Sequence, residues 1–111
     1  MTKEVATAAF ALLSYYAKAY KTRYGKQPVI NKYKEKWAAS SFLEDYGNDT
    51  CEKVIDYYFK TAKEGHPLNW MFNNFDSLLD AYKAQVADEK VRAERRAETA
   101  RIRQEFLNGN A

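Results

Sequence analysis

Seven cations crowd the stretch from residue 15 to residue 37: Lys18, Lys21, Arg23, Lys26, Lys32, Lys34 and Lys36. A single acid, Glu35, stands among them. Tyr15, Tyr16, Tyr20, Tyr24, Tyr33 and Trp37 are interleaved with the charges. Ammonium and guanidinium groups neutralise phosphates without reading sequence. Flat rings stack on unpaired bases at about 1–3 kcal/mol each. The same set of groups also fits an acidic protein surface. Lysines on plain solvated helix faces would give a similar composition, so placement decides between these readings.

Little else in the chain offers chemistry. There is one histidine, His66, and one cysteine, Cys51. His66 lies between Gly65 and Pro67 and reads as a loop or cap residue. A metal site would need further soft ligands at coordinating distances along the chain. A Cys–His or Ser–His–Asp arrangement would have to use these same groups, and no nucleophile elbow surrounds them. Cys51, near the start of a helical segment, reads as a semi-buried structural thiol. Glu44 and Asp45 look like a helix end facing solvent. No Gly-rich phosphate loop is present. The expectation is a protein that is not an enzyme and uses no metal or cofactor.

Charge is unevenly spread. Residues 1–36 carry a net +6, residues 37–87 a net −4, and residues 88–111 a net +1. Steering of a partner depends on such local potential more than on the total. A chain of 111 residues with 46% hydrophobic and 15% aromatic content is expected to build one core. The lone cysteine excludes an intramolecular disulfide, which suits a reducing compartment. The opening stretch MTKEVATAAFALLSYYAK breaks its apolar run with Thr, Ser and Tyr, so it does not read as a signal peptide. No apolar stretch reaches the roughly 18 residues a membrane span needs. A cytoplasmic location follows as the expectation, in the host cytoplasm for a viral protein.

The elements that must position the cations are helices. Four glycines and two prolines punctuate the chain, and no segment alternates with period two for long. The fold class is therefore expected to be all-α: a compact bundle of about four helices over residues 1–87, followed by a long charged helical extension over 88–111. The first helix is expected over Lys3–Tyr24 with Thr2 as its cap. Val5, Ala9, Leu12, Leu13, Tyr16 and Tyr20 share its inner face, and Tyr15 and Tyr24 fall on its flanks. The second is expected over Lys32–Asp45 behind Asn31. Ala39, Phe42, Leu43 and Tyr46 face one way, whereas Tyr33 and Trp37 face nearly the opposite way. Either this helix is buried on two faces, the commoner arrangement for Trp, or the pair forms an exposed ledge beside Lys34 and Lys36.

The third helix opens on a capping box, Asp49-Thr50-Cys51-Glu52. Cys51, Val54, Ile55, Tyr58, Phe59 and Ala62 then keep core spacing, and Gly65 is expected to end the helix. The fourth starts near Pro67, and its stripe runs through Leu68, Met71, Phe72, Phe75, Leu78, Leu79, Tyr82 and Val86. A break near Asn73 and Asn74 would divide it. Beyond Asp88 that stripe fades into alanines, and a thinner one appears about half a turn away. Val91, Arg95, Ile102 and Phe106 are its candidates for contact with a protein partner or a second copy, because such a helix is marginal alone.

Three stretches carry a resemblance: Trp37, Leu43, Asp45 and Tyr46 in a W-x5-L-x-D-Y pattern, VIDYYF from Val54 to Phe59, and HPLNWMFNNFDSLL from His66 to Leu79. They resemble small helical accessory proteins of tailed bacteriophages, of the helicase-loader or replisome-organiser type. That likeness implies a helical N-terminal domain and a charged C-terminal tail that engages machinery of DNA replication. The expected partners are nucleic acid, a protein, or both, with Lys18, Lys21, Arg23, Tyr24, Lys26, Lys32, Tyr33, Lys34, Lys36 and Trp37 at the contact surface. The other expectation is a protein-binding adaptor or inhibitor, an anti-defence protein for example, whose basic front docks on an acidic protein surface.

Overall fold

The computed structural model describes residues 2–109, and helices are the only regular elements among them. They are α1 (Lys3–Tyr24), α2 (Lys32–Tyr46), α3 (Asn48–Lys60), α4 (Leu68–Asn73) and α5 (Phe75–Leu107). The all-α expectation holds, with a long last helix. The chain divides into two compact units, residues 1–78 and 79–111.

In the first unit, α1 packs against both α2 and α3, and α2 against α3. Local chemistry sets the ends of α1. The Thr2 hydroxyl accepts the Val5 N–H at 3.2 Å. Glu4 in the first turn and Lys21 and Arg23 in the last complement the helix dipole. Gly25, at φ 75°, donates its N–H to the Lys21 carbonyl at 2.8 Å, a left-handed cap that favours glycine. Asn31 caps α2 by accepting from the Lys34 N–H at 3.2 Å.

Gly47 alone separates α2 from α3. Helix α3 therefore starts at Asn48, and Asp49 lies inside its first turn, where no side chain makes a cap hydrogen bond. The expected capping box does not form. The helix also stops earlier than expected, at Lys60. Thr61 turns extended and its hydroxyl donates to the Tyr58 carbonyl at 2.6 Å. Gly65 keeps a positive φ, but within the connector rather than at the helix end, and Ala62 is exposed there. Asn74 breaks the fourth segment: its side chain donates to the Trp70 carbonyl at 2.9 Å, and its own carbonyl accepts the Leu78 N–H at 2.9 Å to begin α5.

The buried residues follow the sequence stripes. They include Leu12, Leu13 and Tyr16 from α1, Ala39 from α2, Val54, Ile55 and Tyr58 from α3, and Met71 from α4. Each large side chain of this set contributes about 1.5–3 kcal/mol by leaving water. The stripes are cut short at their ends, where Val5 and Val86 are exposed. Rings fill much of the interior. Phe42 stacks on Phe75 at 4.2 Å between centroids and meets Phe72 at 5.4 Å, and the Tyr46 hydroxyl donates to Asp76.

The second unit is the remainder of α5. Every residue from Lys83 to Gly109 is exposed. Arg92 and Asp88 form an ion pair at 3.1 Å along its surface.

Candidate functional site

The cations of residues 18–36 owe their placement to what holds the inner side of α1. The Tyr16 hydroxyl donates to the His66 carbonyl at 2.6 Å, and the Tyr58 hydroxyl donates to the Pro67 carbonyl at 2.9 Å. The Tyr24 hydroxyl reaches the His66 Nδ1. The His66 Nε2 lies 3.0 Å from the Thr61 carbonyl, which can only accept. Nε2 therefore carries a proton, and in the neutral ring Nδ1 accepts from Tyr24. The imidazole is fully buried, stacked on Phe59 at 4.9 Å and edge-on to Tyr58 at 5.0 Å. Its backbone sits at φ 42°, a strained value for this residue type. His66 is thus the loop residue expected, but it is also a buried hub that ties α1 to the α3–α4 connector. Burial raises the phenol pKa of both Tyr16 and Tyr58 well above its ordinary value.

With Tyr16 and Tyr24 turned inward, α1 presents its cations outward. Lys18, Lys21 and Lys32 line one groove of about 380 Å³ with Ser14, Ala17 and Gln27. No carboxylate lines it. A wider groove of about 750 Å³ runs between α1 and α3 and contains Tyr15, Lys18, Arg23, Asp56 and Lys60. There the Tyr15 hydroxyl donates to Asp56 at 2.7 Å, which pushes the phenol up to about 12. The Asp56 carboxylate opposes an anion in this wider groove, so the lysine groove is the better phosphate site despite its smaller size. Lys18 borders both.

Tyr33 and Trp37 are exposed, at 76% and 59%. The two-faced burial of α2 does not occur: its Ala39 face covers the core, while the opposite face stays open. Lys36, which is half-buried, places its Nζ 5.7 Å from the Tyr33 ring centre and 5.4 Å from that of Trp37. Cation–π attraction at such exposed sites contributes about 0.5–1 kcal/mol, with Lys36 between the two rings of the ledge. Phe10 supports the ledge edge-on, its ring 6.0 Å from Tyr33. Phe10, Ser14, Ala17 and Lys21 lie along one face of α1 by helical spacing. That face meets Tyr33 at its Phe10 end and lines the lysine groove at its other end. Phe10 beneath the ledge and the groove residues Ser14, Ala17 and Lys21 thus share one face of α1.

Of the expected contact residues, Lys18, Lys21 and Lys32 share the groove, and Tyr33, Lys36 and Trp37 share the ledge. Arg23 lies 5.9 Å from the Tyr24 ring centre and belongs to the wider groove. Lys26 and Lys34 are exposed and line neither groove. The Tyr24 phenol is committed to His66. Phe10, Gln27 and Lys60 join the site without having been singled out in the sequence. The α1 stripe from Phe10 to Lys21 was the available signal for the first.

On α5, Val91, Ile102 and Phe106 are exposed at 42%, 55% and 68%. Arg95 borders a shallow hollow of about 280 Å³ with Arg96, Thr99, Ala100 and Arg103. Cys51 is fully buried and its thiol is pushed up to about 11, chiefly by burial. Among the described residues, no group of three or more His, Cys, Asp or Glu residues could hold a metal ion, and no helix is long and apolar enough to cross a membrane. No protein-family model, curated protein or solved structure matches the chain.

Proposed function

We propose that this chain is a non-enzymatic accessory protein of DNA replication or transcription, of the kind tailed phages carry, and that it binds nucleic acid through its basic aromatic front. The observation that carries the reading is a carboxylate-free lysine groove on the α1 face whose Phe10 also supports an exposed aromatic ledge. Phosphates would follow Lys18, Lys21 and Lys32. Unpaired bases would stack on Tyr33 and Trp37, on the ring faces that Lys36 leaves open. Single strands suit this arrangement better than duplexes, whose bases are already stacked. Helix α3 is too acidic to serve as a reading helix in a major groove, with Asp49, Glu52 and Asp56 on it. The assignment to replication or transcription rests on the resemblance of the Trp37–Tyr46, Val54–Phe59 and His66–Leu79 stretches.

The test is binding of labelled single- and double-stranded DNA across a salt series. Tight single-strand binding that weakens steeply with salt, and falls when Lys18, Lys21 and Lys32 are replaced together by Ala, supports the reading. No binding at low salt overturns it. The basic front would then face an acidic protein surface, as an adaptor or inhibitor would.

A further inference from the structure

We propose that residues 88–105 of α5 pair antiparallel with the same residues of a second copy, about a two-fold axis between Arg96 and Ala97. This inference is independent of the nucleic-acid reading. It starts from the exposed stretch Lys83–Gly109, where Val91, Arg95, Glu98 and Ile102 fall along one seam at heptad spacing. With Arg95 and Ile102 at a positions, Val91 and Glu98 fall at d positions. Val91 and Ile102 are both exposed, at 42% and 55%. A helix of this kind draws most of its stability from a packed face, and α5 has none from Lys83 onward.

The charges on the seam select both the occupant and the direction. In a parallel, in-register pair, Arg95 would face Arg95 and Glu98 would face Glu98, two like-charged layers. In an antiparallel pair about the stated axis, Val91 faces Ile102 of the second copy, and Arg95 faces Glu98 of the second copy. Symmetry repeats each of these layers. The flanking positions agree: Glu94 comes beside Arg101 of the second copy, again twice. Parallel pairing would instead set Glu94 beside Thr99 and Arg101 beside Phe106. The outermost layers set Asp88 against Glu105, like-charged in either direction, but Arg92 already holds Asp88 at 3.1 Å. The seam is about 27 Å long at the helical rise. Complementarity of this sort sets partner and orientation more than raw affinity, so the pair is expected to dissociate on dilution.

Sedimentation equilibrium of the full chain over a concentration series tests the proposal. The expected result is a two-chain mass that falls to one chain on dilution. Arg95→Glu puts an acid opposite Glu98 in both central layers, and Glu98→Arg puts a base opposite Arg95. Each variant alone is expected at the one-chain mass. An equimolar mixture of the two is expected to recover the two-chain mass, because every central layer then joins opposite charges. Unchanged near-ultraviolet circular dichroism of the buried tyrosines keeps loss of folding separate from loss of pairing. A one-chain mass for the unaltered chain at every concentration overturns the proposal. So does a dimer that Arg95→Glu leaves intact, since a parallel seam would be indifferent to that exchange.

Discussion

Replacing Trp37 by Ala separates stacking from charge at the proposed interface. The ring is 59% exposed, so folding stability should change by about 0.5 kcal/mol or less. Binding should change far more. One base–aromatic stack is worth about 1–3 kcal/mol, which corresponds to a roughly 5- to 150-fold loss of single-strand affinity. The loss should be the same at every salt concentration, because no phosphate contact is removed. Joint replacement of Lys18, Lys21 and Lys32 by Ala should behave differently. Single-strand affinity falls with a logarithmic salt slope of about −0.7 per neutralised phosphate, so three lysines account for a slope of about −2. The triple variant should flatten the plot by that amount, whereas Trp37→Ala should shift it in parallel. Anisotropy of a labelled single strand reads both effects, with a duplex of the same sequence as control. Unchanged single-strand affinity of Trp37→Ala would refute the reasoning. An equal loss on duplex and single strand would do so as well, since stacking on paired bases is not available.

Two further outcomes concern the frame behind the site. His66→Ala empties a fully buried position and leaves the Tyr24 hydroxyl and the Thr61 carbonyl without their partner. A loss of about 2–4 kcal/mol is expected from urea unfolding. His66→Gly, which relieves the positive φ, should be no better, because ring contacts outweigh backbone strain. Alkali should unfold the protein. The folded-state values of Tyr15 and Cys51, about 12 and 11, and the raised phenols of Tyr16 and Tyr58, all lie above the unfolded ones. Their contribution is complete below about pH 9 and drains away as pH rises through the folded values. Urea midpoints should hold steady from neutrality to that point and then drop. A midpoint that rises above pH 10 contradicts the assignment.

The parts of the fold that depend on near neighbours were legible in the sequence. The caps at Thr2 and Asn31, the start of α2 and the inner stripes of α1 and α3 all follow from spacing and side-chain chemistry within a few residues. The parts that failed depend on a competing signal close by or on residues far along the chain. Asp49 looked like a cap because its local pattern is right, yet Gly47 lets α3 begin a residue before it. Gly65 looked like a helix end, but Thr61 diverts the chain first and the connector is then held by tyrosines far away along the sequence. His66 was recognised as a loop residue, while its burial depends on α1. Trp37 was the reverse case. Large apolar rings are usually buried, and only the three-dimensional arrangement shows that α2 spends its single buried face on Ala39. The lysine groove was legible as a list of residues and not as a shape, because Lys32 joins Lys18 and Lys21 only when the loop between α1 and α2 folds back.

The bond from Tyr16 to the His66 carbonyl joins residues 50 positions apart, and this bears on the order of events at synthesis. Helix α1 is completed as a stretch of chain long before its clasp exists. At translation rates of about 5–20 residues per second, the 42 residues from Tyr24 to His66 take roughly 2–8 s to follow. For that interval the Tyr16 and Tyr24 hydroxyls are without the partners that hold them in the folded chain. The Gly65-His66-Pro67 connector is thus the last-made partner of α1, and the hydrogen bonds that fix the inner side of the basic front can close only after it has been synthesised.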